Sequence, residues 1–521
     1  MLSLSLLLAA TPITAAELRA HTGFLASDLL EGRGPGTRGD ALAQAYVTAQ
    51  LEALGLQVSS QPVDLVGVDG HPETLSFTAP KTSLALRHHH DVIAVSGHQR
   101  EVSELRDAEL LFVGYGITAP EFDWDDFKGV DVKGKVLVVM NNDPERDPRR
   151  FGGKARLWYG RWDYKYERAR QLGAAGVLII HTTPSAGYPW QVVQTSWSGA
   201  QFDLPADAGH QLELKGWVTE AAARRLFALT GKSLDGLRAK AEGPRFVPVP
   251  LGVTLSTRFT NVVATTRSAN VLGLLEGTDE ALKREVVVYT AHHDHLGRGA
   301  DGTIYNGAVD NASGVAALLA LARLFSAQPP KRSVLFAAVA AEEQGLLGSQ
   351  YLVEHPPVPL ARMAANLNLD GLNVLGRARD VSVVGFGKSS LDAHLIAAAQ
   401  RQGRVVRPDA LSDRGFFYRG DQFNFAKRGV PATWFSSGQD FIGRPAGWGA
   451  KQREAWESQR YHQPSDDVTP EWDLSGAVED VQLYYELGAA VGNAPAMPTW
   501  TKGDEFEAAR LESLRSLGSS R

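Results

Sequence analysis

The 521-residue sequence has a formal net charge of -6, 44% hydrophobic residues and no cysteine. That length accommodates two or three domains with large cores, and the mild charge, with no polybasic or aromatic-interleaved run, proposes no nucleic-acid partner. Disulfide stapling, thiolate catalysis and cysteine zinc sites are excluded, so a metal would have to be held by His, Asp and Glu.

In chain order, an apolar run from Leu2 to Ala10 and a small-residue exit at Ile13-Thr14-Ala15-Ala16 resemble a secretory signal without the usual basic start. Residues 1–16 are therefore expected to direct export, to the periplasm or outside the cell, the bland alternative being a frayed apolar helix. The run is too short to span a bilayer, and no later stretch is expected to supply the roughly 20 apolar residues a span needs. Helices are expected over 17–29 and 40–54, the second stopped by Gly55, with a Gly-rich loop at 31–36 between them and a strand over 57–65. From 80 to 250 the texture changes to short strands at 109–113, 136–140 and 177–181, with a helix at 163–175, as in a β-rich insertion.

The stretch from Val286 to Glu343 organises the rest. A β-branched strand (286–291) leads into His292-His293-Asp294-His295, a Gly-rich loop follows, and Asp310-Asn311-Ala312-Ser313 opens a helix with apolar periodicity over 315–324. A second apolar strand, 333–341, ends on Glu342-Glu343. Strand, helix, strand describes a βαβ unit, whose chemistry collects at the carboxyl ends of the strands. Further on come a helix at 346–354, a strand at 363–369 ending at Asp370, a helix at 390–402, a strand at 430–435, a loop carrying Tyr461-His462-Gln463-Pro464-Ser465-Asp466, and a helix at 474–491. Residues 496–521 are a charged tail or helix.

His292, Asp310, Glu342, Glu343 and Asp370 thus fall at strand ends, with His462 on a late loop. Imidazoles together with carboxylates suit zinc better than a hard cation, and a metal pair needs a carboxylate able to bridge it. Asp310 alone reads equally as a helix N-cap, and His293 and His295 read as surface histidines.

Taken together, Ala291-His292-His293-Asp294-His295-Leu296-Gly297, Gly307-Ala308-Val309-Asp310-Asn311-Ala312-Ser313-Gly314, Ala341-Glu342-Glu343-Gln344-Gly345, Asn368-Leu369-Asp370 and the Tyr461 to Asp466 segment resemble the secreted dizinc aminopeptidase family. Its relatives include glutamate carboxypeptidase and the transferrin receptor ectodomain. The resemblance implies an α/β fold, a zinc-exopeptidase-like α/β/α sandwich around a mixed, mostly parallel sheet, made by residues 17–79 and 251–495. It also implies that 80–250 is an inserted β-rich protease-associated domain. Two zinc ions are implied, one held by His292 and Asp370 and the other by Glu343 and His462, with Asp310 bridging. Glu342 would be the general base and Asp294 would orient His292. The peptide bond after Asp310 would be cis.

One departure stands out. Relatives often carry Ser-Asp-His before an aromatic residue, where this chain has Gly420-Asp421-Gln422-Phe423; a changed substrate preference is expected. Phe416, Phe417, Tyr418 and Phe423 read equally as pocket walls or as core. The implied activity is removal of N-terminal residues from peptides with a free amine. Its rivals are a carboxypeptidase for acidic C-termini, for which Arg414 and Arg419 would serve, and a non-enzymatic binding protein on the same fold. The oligomeric state is left open.

Overall fold

A computed structural model describes residues 11–518 apart from 148, 149, 154, 198, 208 and 300. Most of the signal-like run, 1–10, lies outside the described residues. The chain divides into two compact units: residues up to Val63 with Arg267–Ala410 and from Arg419 onward, and Asp64–Thr266 with Leu411–Tyr418. These crossings differ from the 79/80 and 250/251 boundaries expected from texture. The strands Gln57–Pro72 and Val249–Leu275 run straight through the observed crossings at 63/64 and 266/267, so composition gave no mark where the packing changes.

In the first unit the N-terminal helices are α1 (Ala15–Leu25) and α2 (Arg38–Ala53). Each is capped by a threonine, Thr14 accepting from the Glu17 amide and Thr37 from that of Asp40, which satisfies one orphan donor at each helix start. The strands are β1 (Val249–Leu275, of which the end belongs here), β2 (Val286–His292), β3 (Ser333–Val339), β4 (Met363–Asn368), β5 (Asp380–Val384), β6 (Val405–Pro408) and β7 (Ala432–Ser437). Their order is β6-β5-β7-β4-β2-β3-β1. β2 lies parallel to β3 and to β4, β4 parallel to β7, and β5 parallel to β6. β7–β5 and the β1–β3 edge, through Val271–Leu275, are antiparallel. The sheet is therefore mixed and mostly parallel.

Central parallel strands covered on both faces read as continuous apolar runs, and every residue of β2, β3 and β4 is buried. Alternation then sorts them. Val287, Tyr289 and Ala291 join Phe336 and Ala338 in a core with α3 (Gly314–Ala327), whereas Val286 and Val288 join Leu335 and Ala337 against Leu352 and Val353 of α4 (Leu347–Glu354). The first face also takes α5 (Leu391–Arg401) and, beyond the short α6 (Gln422–Lys427) and α7 (Trp448–Gln459), the long α8 (Ser475–Asn493). Phe425 of α6 packs on the second. Helices on both faces make this an α/β sandwich. The segment Ala308–Ala327 has the length and apolarity of a membrane span, contrary to the sequence expectation, but it is 94% buried, as the central helix of a core is. The charged end forms α9 (Glu507–Gly518).

The second unit is built on strands at Val102–Phe112, Val136–Met140, Gly176–His181 and Leu214–Thr219, parallel in that order. Val92–Val95 and the first half of β1 pair antiparallel at its two edges. Helices Trp162–Gln171, Glu220–Ala228 and Leu234–Ala241 accompany it.

Candidate metal centre

β2, β3 and β4 end in register: His292 pairs with Val339 and Thr290 with Asn368. Residues just past these ends share one edge of the sheet, where His292, Asp294, Glu342, Glu343 and Asp370 lie. After β3 the backbone turns through left-handed Ala341 (φ 52°) and Leu346 (φ 63°) as well as Gly345 (φ 114°), so that the adjacent glutamates serve different directions. Asp310 occupies a wide turn, Ala308–Ser313, ahead of α3 and is not a helix N-cap; the Asp310–Asn311 peptide is cis.

The turn is fastened from two sides. Asn311 accepts from the Gly314 and Gly371 amides at 3.0 Å each and donates to Leu369 O at 2.9 Å, which ties Asp310 to the loop of Asp370. Asp466 accepts from the amides of Val309 at 3.0 Å and Asp310 at 3.1 Å, and its carbonyl accepts from Ala308 N, which ties the same turn to the loop of His462.

Asp310 directs its two oxygens to different partners. Oδ1 is 3.3 Å from His292 Nε2, and Oδ2 is 3.2 Å from His462 Nε2. Asp370 Oδ1 approaches the same nitrogen of His292 at 3.6 Å, and Glu343 Oε2 approaches that of His462 at 3.1 Å. Glu342 Oε2 stands 3.9 Å from His292 Nε2. All six side chains expected from the sequence to ligate metal or act as base are thus together.

Asp294 contacts both His292 and the turn after β3. Its carboxylate accepts from the amides of Glu342 at 3.1 Å and Glu343 at 3.3 Å, whereas His292 Nδ1 bonds to the Asp294 carbonyl at 3.2 Å and is 3.7 Å from its carboxylate. The carbonyl can only accept, so Nδ1 carries a proton and Nε2 is the nitrogen that faces Asp310 and Asp370.

His293 and His295 are fully buried, not on the surface. His293 Nε2 pairs with Asp40 Oδ1 at 2.9 Å, and His295 Nδ1 with Glu343 Oε1 at 2.7 Å. The partners that sequence reasoning missed are Asp40, Arg33, His295 and Asp466. Of these Asp466 and His295 lay within motifs already singled out, His295 being read there as a surface residue; Arg33 and Asp40 find their partners far along the chain. Phe423 is a core residue facing Phe506, and Phe416–Tyr418 belong to the second unit. Gln422 accepts from Asn368 Nδ2 at 2.9 Å, and Asn368 accepts from Thr290 Oγ1 at 2.6 Å, a buried network beneath the strand ends.

The donors fit divalent metal. Nε2 of His292 and of His295 are buried without a hydrogen-bond partner, and two three-residue clusters can hold an ion, His292–Asp310–Asp370 and His295–Asp310–Glu343. His462 faces the second cluster and stacks on Tyr461. Burial pushes the Glu342 carboxyl well above the usual range; Glu343, Asp370 and Asp421 add to that against the charge of His292. Burial opposes charge on His462, yet Glu343 and Asp310 raise it to about 10. Such a group of carboxylates and imidazoles holds protons that entering cations displace.

Residues 270–486 match the model of Peptidase family M28. Aminopeptidase YwaD of Bacillus subtilis is 36% identical over 359 residues, 67% of this chain and 61% of its own length. A probable zinc metalloprotease of Pyrenophora tritici-repentis is 52% identical over 64 residues, 12% of this chain and 15% of its own. The chain therefore spans less than two thirds of these curated relatives. Among solved structures, an aminopeptidase from Aneurinibacillus sp. strain AM-1 superposes with a TM-score of 0.49 at 19% identity, covering 93% of this chain and 95% of that one. The strand-end imidazoles and carboxylates lie inside the residues that match peptidase family M28.

Proposed function

We propose that the chain is a dizinc aminopeptidase that removes N-terminal residues from peptides with a free amine. The observation that carries the reading is the placement of Asp310, one oxygen toward His292 and the other toward His462. His292 and Asp370 would hold one zinc, Glu343 and His462 the other, and Asp310 both. Zinc bound there supplies a Lewis acid that polarises the scissile carbonyl and makes water a better nucleophile at neutral pH. The family match and the aminopeptidase name of the YwaD relative support that chemistry here.

The chain's own residues do the rest. Glu342 receives a proton from the attacking water at Oε2, on the side facing His292, and delivers it to the departing amine. The Asp294 carboxylate fixes the Glu342 and Glu343 amides, and its carbonyl fixes His292. His295 holds Glu343 from the side opposite His462. In the same reading, the second unit is a protease-associated domain, and the N-terminal run exports the chain to the periplasm or beyond.

The test is hydrolysis of peptides blocked or free at each end, by zinc-loaded protein and by Glu342→Gln. Release of the first residue only from free amines, with kcat in Glu342→Gln lowered about 10²- to 10⁴-fold at unchanged metal content, is expected. Release from the C-terminus would make it a carboxypeptidase, and metal binding without turnover of any peptide would make it a binding protein.

A further inference from the structure

Arg33 is 1% exposed, and all its polar contacts are with carbonyls. Nε donates to His293 O at 2.8 Å, Nη1 to Asn306 O at 2.7 Å and to Leu25 O at 2.5 Å, and Nη2 to Gly307 O at 2.9 Å. Among the described residues it forms no ion pair. A buried charge in that condition is expensive. Its compensation comes from a distance, from the negative charge of Asp294, Asp466, Asp310 and Glu343.

The turn that delivers Arg33 is built for close approach. Glu31 (φ 50°), Gly32 (φ 69°) and Arg33 (φ 53°) are all left-handed, a conformation that strains the two non-glycine positions. A Cβ on Gly32 would lie 2.5 Å from the carbonyl oxygens of both Gly297 and Tyr305. The Arg33 carbonyl accepts from His295 N at 3.3 Å, Asp28 accepts from Asn306 Nδ2 at 2.8 Å, and Asp40 pairs with His293. Residues 28–40 thus grip the chain on both sides of the Gly-rich loop, at 293–297 and at 305–307. The first grip adjoins Asp294; the second precedes the Asp310 turn.

We infer that Arg33, supported by Asp40, is a positioning residue for the metal centre. Its planar fork sets the carbonyls of 293, 306 and 307 at fixed separation, and its charge offsets the surplus of carboxylates behind the ligands. A lysine has the charge but not the fork, so it cannot hold three separate strands of backbone at once. The inference rests on the dizinc reading and assigns the N-terminal segment a part in it.

The experiment titrates metal-free wild type, Arg33→Lys, Asp40→Asn and the control Glu31→Gln with Co²⁺, followed by visible absorption, and with Zn²⁺ against a chelator. kcat and KM are measured alongside. Arg33→Lys and Asp40→Asn are expected to bind about 10- to 100-fold more weakly. Both should show an altered cobalt spectrum, recover kcat at high zinc and keep KM, while Glu31→Gln behaves as wild type. Wild-type affinity and spectrum in Arg33→Lys, with only a lowered melting temperature, would overturn the inference. If Arg33→Lys does not fold, unchanged cobalt binding in Asp40→Asn overturns it. A wild type that binds no Co²⁺ or Zn²⁺ would overturn the dizinc reading itself.

Discussion

At the scale of single residues, the side chain that holds the centre together without touching the reacting atoms is Asn311. Its amide joins the turn of Asp310 to the loop of Asp370, using both its oxygen and its nitrogen. Asn311→Ala removes those bonds, and metal affinity measured by chelator competition is expected to fall about 10- to 100-fold. Away from the centre, His88 in the second unit has its pKa lowered to about 4 from 6.5, first by burial and then by His89 beside it. The unfolded chain therefore takes up this proton first as pH falls, so the contribution to stability present above about 6.5 is lost on the way down to about 4. Urea midpoints between pH 7 and 4 should fall less steeply for His88→Gln than for wild type. Individual residues were legible in the sequence where their chemistry had a position to stand in, at a strand end or in a motif. Arg33 and Asp40 were not, because what makes them matter is a partner about 250 to 260 residues away that nothing local in the sequence marks; His295 stood in a motif, but its burial against Glu343 did not show there.

At the scale of elements, strands such as 286–292, 333–339 and 363–368 could be read because a strand buried on both faces must be apolar throughout. Helices Glu220–Ala228 and Leu234–Ala241 of the second unit went unread: they are short, separated by a turn, and rich in alanine and charge, so their apolar stripe is thin. The turn at 308–313 was misjudged as a helix start, since Asp310 and Asn311 look like cap residues ahead of an apolar helix, while Asn311 and Asp466 accept backbone amide bonds that hold it open. Packing between elements has its own tight point. A Cβ on Gly488 of α8 would fall 1.8 Å from the hydroxyl of Tyr289, which donates to Tyr484 O at 2.7 Å. Gly488→Ala must push the helix from the sheet or break that bond. We expect a loss of about 1–3 kcal/mol by urea denaturation, with peptide specificity unchanged.

At the scale of the whole molecule, each of the two units has buried apolar clusters of its own among the described residues. A ligand that binds only the folded first unit stabilises that unit by mass action and leaves the other untouched. Calorimetry with and without chelator should therefore show one transition moving down and one staying in place; a single transition shifting as a whole would show that the units unfold as one. The insertion was visible in the sequence as a change of texture, but its limits were not, because the crossings fall inside extended strands.

That arrangement also fixes an order of events during synthesis. Residues 15–63, with Arg33 and Asp40 among them, leave the ribosome before the whole of 64–266, and their partners at 293–307 come later still. At about 5–20 residues per second, the gap from residue 63 to those partners is roughly 12–50 s. For that interval the two N-terminal helices have an apolar face and a charged arginine with nothing to receive them, while the inserted unit already has nearly all of its own chain. The nascent protein thus carries all but a short segment of its inserted unit before the N-terminal helices can dock, and those helices are the part a chaperone would need to shield.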